Sequence, residues 1–201
     1  KDETEEYNGS SWAEQSNLNT ARGEAGGLGI QTAALMFGGS LPSPTGATEE
    51  YDGSSWTTSP NSLNTARRGI IGGSGTQTAG LAFGGTPPVT GATESYNGTA
   101  WTAVSALNTA RSGVAPAIAG TQTAALAAGG NTGSASAATE LYDGTSWVTQ
   151  PSLGTARRMG GGAGTISAAM IAGGGTPGNT AASEEFTAAT TATNIKTFTT
   201  S

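Results

Sequence analysis

The chain has no cysteine and no histidine, and it is poor in charge and in aromatic residues. Without cysteine, neither a disulfide framework nor a thiolate nucleophile is available. Without both residues, an ordinary Cys/His zinc site, a Ser-His-Asp triad and a Cys-His pair are excluded. Lys, Arg, Asp and Glu reach 11% of the 201 residues, where a typical domain has about a quarter. The balance is acidic, with a net charge of −6. That opposes nucleic-acid binding, which needs clustered Lys and Arg to neutralise phosphate. No run of roughly 18 apolar residues is present to insert into a membrane, and no secretory signal is visible. The chain opens on Lys1 rather than Met, so the expectation is that further chain precedes it.

What is present is small: Gly, Ala and Thr make up 100 of the 201 residues. Such a composition suits low-complexity disorder, and periodicity is the test. Tyr7, Tyr51, Tyr96 and Tyr142 recur at steps of 44, 45 and 46, and Trp12, Trp56, Trp101 and Trp147 keep the same steps. A Gly pair recurs at 38–39, 84–85, 129–130 and 173–174. Arg22, Arg67, Arg111 and Arg157 each close a Thr-Ala-Arg triplet. Four markers on one period indicate a folded repeat.

The second repeat shows the parse. Residues 66–75 read as a Gly-rich first strand, 76–85 as a short apolar strand ending on the Gly pair, and 86–92 as a Pro-bearing loop. Residues 93–98 and 99–104 read as a hairpin. Its tip is Asn8-Gly9, Asp52-Gly53, Asn97-Gly98 or Asp143-Gly144, which predicts a two-residue type I′ turn. Four short strands in about 45 residues is the size of a propeller blade. Stacking such blades about an axis buries face against face. Gly and Ala suit the crowded inner strands, and the outer aromatics supply the large apolar surface.

The Gly pair, Glu-x-Tyr-[Asp/Asn], a Trp five residues after the Tyr, and an Arg-x-Gly start such as Arg67-Arg68-Gly69 resemble the kelch repeat. The likeness covers residues 3–186, in units near 3–14, 15–58, 59–103, 104–149 and 150–186. The Thr/Ala/Gly richness is similar to kelch-like arrays of phage and marine microbes, mostly described as tail-fibre-like or surface proteins. The resemblance implies an all-β kelch-like β-propeller of four-stranded antiparallel blades, four to five in this chain. Two closures are open. The hairpin at 3–14 joins the inner pair at 157–174 in one composite blade. Alternatively the last residues, with Phe186 at the Tyr position and 187–201 as tail or outer strand, complete that blade, and 3–14 belong to an upstream blade.

Six of the eight basic residues lie in the Thr-Ala-Arg segments. Following the strands up and down puts these segments on one face with the irregular loops 40–47, 86–92, 131–138 and 175–182. Loops on a rigid scaffold are where binding usually resides. A ring formed by Arg22, Arg67, Arg111 and Arg157 at the mouth of the axial channel would suit carboxylates or acidic sugars, and the kelch resemblance implies the same use of this position. The competing reading is structural: each Arg caps strand carbonyls, or pairs with the repeated Glu of a neighbouring blade. The acidic pairs, such as Glu49-Glu50, resemble a glycosidase couple in composition, but neighbours on a strand point to opposite faces. Tyr and Trp are expected between blades rather than as sugar platforms. Asn8 and Asn97 match the glycosylation sequon while serving as turn residues. A copper oxidase site, as some kelch-like propellers carry, fails for want of His and Cys. The expectations are therefore a non-enzymatic module without cofactor, on an extracellular or virion surface. It would bind a host glycan or protein; the alternatives are a scaffold joining neighbouring chains into a fibre, or a carboxylate-based polysaccharide hydrolase or lyase.

Overall fold

Segments of four or five residues that alternate small apolar with polar side chains, bounded by Gly, Asn and Asp, favour short antiparallel strands over helices. In a computed structural model, which describes residues 1–71, 73–117 and 119–187, every regular element is a strand, and the strands form a four-bladed β-propeller. Blade 1 comprises Gly26–Ile30, Ala33–Phe37, Thr48–Tyr51 and Trp56–Thr58. Blade 2 comprises Gly73–Thr76, Ala79–Phe83, Thr93–Tyr96 and Trp101–Val104. Blade 3 comprises Ala115–Pro116, Ala125–Ala128, Thr139–Tyr142 and Trp147–Gln150. Blade 4 comprises Gly161–Gly164, Ala168–Ala172 and Ser183–Thr187. Thr4–Tyr7 and Trp12–Gln15 form a separate two-stranded hairpin before blade 1.

Of the two closures, the strand pairing is that of the second. Ala168–Ala172 pairs with Ser183–Thr187, which puts Phe186 opposite Ala169, and the N-terminal hairpin pairs with no other sheet. The expected tail or outer strand at 188–201 lies outside the described residues.

The core lies between blades, not inside them. Leu35 and Phe37 of blade 1 are buried with Ala82, Tyr96 and Trp101 of blade 2. Leu81 and Phe83 of blade 2 are buried with Ala125, Ala127, Tyr142 and Trp147 of blade 3. The cross-strand register sets Tyr opposite Trp in each outer hairpin, Tyr96 against Trp101 and Tyr142 against Trp147, so both rings reach the preceding blade together. Toward the axis the blades meet by backbone. Gly69 N–H donates to the Glu24 carbonyl at 2.9 Å, Gly113 to Gly69 at 2.8 Å and Met159 to Gly113 at 2.9 Å. All four residues have φ between 55° and 67°, a conformation that costs a non-glycine residue about 1–2 kcal/mol; glycine meets it at 69 and 113, whereas Glu24 and Met159 adopt it at that cost. The first strands enclose an axial cavity of about 260 Å³ lined by Gly27, Leu28, Gly73, Pro116 and Gly162, among others.

The small residues near the axis are demanded by distance. A Cβ on Gly162 of blade 4 would stand 2.0 Å from the Pro116 carbonyl of blade 3. Gly162→Ala is expected to cost about 1–3 kcal/mol by forcing these blades apart, read as a lower denaturation midpoint. An unchanged midpoint would show that the contact yields freely.

The hairpin tips differ from the expected type I′ turn. Each is a four-residue connection in which only the glycine has positive φ, for example Gly98 at 86°. The preceding side chain replaces the missing turn bonds. Asn97 Oδ1 accepts from the N–H groups of Thr99 and Ala100 at 3.0 and 2.8 Å, and Asp52 Oδ1 accepts from Ser54 and Ser55, both at 2.8 Å. Donation from the Ser55 N–H, then from Ser54, holds the Asp52 carboxyl below the ordinary aspartate value.

Candidate functional site

The loop face is built by the Gly pairs. After the second strand the chain must turn left-handed against the next blade. Gly84 and Gly85 have φ of 71° and 122°, and a Cβ on Gly84 would stand 2.4 Å from the Arg111 carbonyl. Gly85 N–H donates to that carbonyl at 3.0 Å, as Gly39 does to Arg67 and Gly130 to Arg157. The loop then folds back: Thr90 N–H donates to Gly85 at 2.9 Å, and Arg111 N–H to the Thr90 carbonyl at 3.1 Å. A bridge ties each loop to its own blade's Thr-Ala-Arg segment, Gly23 to Ser40, Arg68 to Thr86, Ser112 to Asn131 and Arg158 to Gly175. The segments and the four irregular loops therefore share one face, and the short Thr-Gln and Asn/Asp-Gly turns lie at the other end of the strands.

Arg22, Arg67, Arg111 and Arg157 come together on that face but point into the blades, and each is at most 7% exposed. Arg22 Nη2 donates to Glu49 Oε1 at 2.7 Å, Arg111 Nη1 to Glu140 Oε1 at 2.7 Å and Arg157 Nη2 to Glu184 Oε1 at 2.7 Å; Arg67 Nη1 pairs likewise with Glu94. Each carboxylate lies on the third strand of the same blade. The structural reading is met in its carbonyl-capping form and corrected in its ion-pair form, which places the Glu in a neighbouring blade. The pairing also replaces the expected open ring: the carboxylate each guanidinium holds is the protein's own. Some other donors go to carbonyls, Arg22 to Ala47 at 3.1 Å and Arg67 Nε to Gly84 at 2.9 Å, while Arg22 Nε, Arg67 Nη2 and Arg111 Nε have no partner among the described residues. Burial pushes the Arg111 guanidinium below the ordinary arginine value and Glu140 opposes that shift.

Two further repeated residues carry the scaffold, and neither was singled out from the sequence. In Leu-Asn-Thr-Ala-Arg, the backbone N–H groups of Asn19, Asn64 and Asn108 each donate to the other oxygen of the paired Glu at 2.7 Å. Their side-chain amides donate to the Trp56, Trp101 and Trp147 carbonyls at 2.8–3.0 Å. In the Gly-Thr-Gln turns, Gln77 and Gln122 donate to the Tyr51 and Tyr96 carbonyls of the preceding blade at 2.7 and 2.6 Å. Both residues recur on the 45-residue period, which is the signal that could have found them.

The paired acids separate as their strand position requires. Glu49 holds Arg22 within blade 1, whereas Glu50 accepts the hydroxyl of Tyr96 from blade 2. Burial first, and the Glu50 contact second, raise the Tyr96 hydroxyl above the ordinary tyrosine value. Among the described residues no group of three or more acidic side chains could hold a metal ion.

The outward loop surface is left with Arg68, which pairs with Glu24 at 3.2 Å, and exposed Arg158. Arg158 borders a cleft of about 480 Å³ lined by Met159, Thr176, Pro177, Asn179 and Thr180. No protein-family model matches the chain, and no curated protein matches it.

Proposed function

We propose that this protein is a kelch-like, non-enzymatic binding module of an extracellular or virion-surface appendage, whose four irregular loops contact a host glycan or protein. The observation that carries this reading is the asymmetry between the two faces. The turns of one end repeat the same bonds in blade after blade. The loops of the other differ in sequence while their feet are pinned by identical bridges. Constant feet under variable tips is how a scaffold holds changeable contacts at fixed positions. The buried arginines serve as struts under the loops, and contact with a partner falls to the loop tips and to residues such as Arg158 and Asn179.

Loop replacement tests it. Exchanging residues 175–182 for the 131–138 sequence is expected to abolish or redirect binding on a glycan array or to host cells, with the melting temperature unchanged. Binding that survives replacement of all four loops would overturn the reading, as would the absence of any glycan or host-cell binding by the intact chain.

A further inference from the structure

The residue after each buried arginine is Gly23, Arg68, Ser112 or Arg158, and each is bridged to the first residue of its own blade's loop. Arginine therefore stands at this place twice, and only one of the two has an acid to hold. Arg68 Nη1 donates to Glu24 Oε1 at 3.2 Å. Glu24 belongs to the preceding blade, and its carbonyl accepts the N–H of Gly69, next to Arg68, at 2.9 Å. The same backbone bond fixes the counterpart for Arg158. Met159, next to Arg158, donates to the Gly113 carbonyl at 2.9 Å. Where blade 1 offers a glutamate, blade 3 offers a glycine. Among the described residues Arg158 has no ion-pair partner, and its side chain donates no hydrogen bond.

The base of this free arginine is held in place. Its N–H donates to the Gly175 carbonyl at 2.9 Å, and its carbonyl accepts from the Gly175 N–H at 2.8 Å. A Cβ on Gly175 would stand 3.6 Å from Arg158 Nε, so the side chain passes over the first residue of the loop. The cleft of about 480 Å³ beside it is walled by residues 158–159 and 174–180 of one blade. Among the described residues no acidic side chain lines it. Thr176, Asn179 and Thr180 bring hydroxyl and amide groups, and Met159 and Pro177 bring apolar ones.

We propose that this cleft holds an acidic sugar residue, a sialic or uronic acid of a glycan, with its carboxylate on Arg158. The inference rests on the loop-face reading above and names its ligand. The sugar's carboxylate does for Arg158 what Glu24 does for Arg68. A guanidinium fork matches a carboxylate through two N–H groups, and such charge-assisted bonds are the stronger ones. Ring hydroxyls meet Thr176, Asn179 and Thr180, and a C–H face of the ring lies on Met159 and Pro177. A cleft of this size, apolar in part with a few convergent polar groups, is of the kind that takes a small ligand.

The backbone of the cleft favours a sugar over an acidic peptide. An extended peptide gains affinity by adding main-chain hydrogen bonds to an open edge. Here the main chain is engaged with itself: Arg158 with Gly175, Thr176 N–H with the Gly178 carbonyl at 2.7 Å, and Thr180 N–H with the Gly174 carbonyl at 3.0 Å. The chain's net charge of −6 also opposes a general attraction to anions. Binding therefore depends on this one guanidinium and is expected to weaken as salt is added.

The test is titration of the full chain with N-acetylneuraminic acid and with glucuronic acid, followed by NMR, with galactose as the neutral control. The wild type is expected to bind one or both acids and not galactose, and a response to only one identifies the sugar. Arg158→Gln alters an exposed side chain, so the melting temperature is expected to stay unchanged. Its affinity for the acid is expected to fall about tenfold or more, the loss of one charge-assisted hydrogen bond. Acid binding that survives Arg158→Gln overturns the proposal, as does binding of a polyglutamate peptide in place of either sugar. A wild type that binds neither acid overturns it too. If that protein still binds neutral glycans or host cells, the loop-face reading stands and only this ligand falls.

Discussion

Replacing Arg111 with alanine is expected to destabilise the protein by about 3–5 kcal/mol, the usual cost of leaving one member of a buried ion pair without its partner. Arg111 and Glu140 are both buried, with 2.7 Å between Nη1 and Oε1. Once the guanidinium is gone, Glu140 keeps only the N–H groups of Asn108 at 2.7 Å and Thr109 at 3.3 Å. The Ala127 carbonyl also loses its 3.3 Å contact with Nη2. For a chain of this size the loss corresponds to a fall of roughly 6–20 °C in melting temperature, measurable by circular dichroism. The pair itself need not be strongly favourable. Replacing both residues by apolar ones of similar volume, Arg111→Met with Glu140→Leu, is expected to recover much of the loss, and a double-mutant cycle gives the coupling. A single substitution costing less than about 1 kcal/mol would mean that the pair is solvated. The ligand-binding use of these arginines would then regain its standing, because a site residue can be removed without loss of fold.

The architecture is legible in the sequence because it is written four times. The steps of Tyr, Trp, the Gly pair and Arg define the blades, and up-and-down tracing puts Arg22, Arg67, Arg111 and Arg157 beside the irregular loops. What stays hidden is direction. Spacing along the chain does not tell whether Arg22 reaches a carboxylate in its own blade or the next, since both distances are short in a wedge of narrow sheets. Only coordinates show the side chain crossing from the start of the first strand to Glu49 on the third. The turns fail for a different reason. Asn-Gly and Asp-Gly favour type I′, but here the Asx side chain captures two N–H groups, and that local competition favours the longer connection. The period marks Tyr7 and Trp12 as interface residues like their counterparts, and only burial shows that the described residues leave them exposed.

The sharpest contrast the fold predicts is between two tryptophans with the same sequence context. Trp101→Ala is expected to cost about 3–5 kcal/mol, the range for truncating a large aromatic in a core. Its ring is buried against Phe37 of blade 1 at 5.1 Å and 61°, and against Tyr96 at 4.9 Å and 36°. Its indole N–H satisfies Thr48 Oγ1 at 2.9 Å. Truncation therefore opens a cavity between two blades and strips a polar group of its partner. Trp101→Phe keeps most of the ring and is expected to cost less. Trp12→Ala is expected to change stability by no more than about 0.5 kcal/mol, as exposed substitutions do, because Trp12 is 66% exposed. Denaturant titrations of the three variants measure the difference directly. If Trp101→Ala also fell below about 1 kcal/mol, the aromatics would not be what holds one blade to the next. The wedge of sheets would then rest on backbone contacts at the axis alone, and the repeated Trp would have to be explained as a surface that meets something outside the chain.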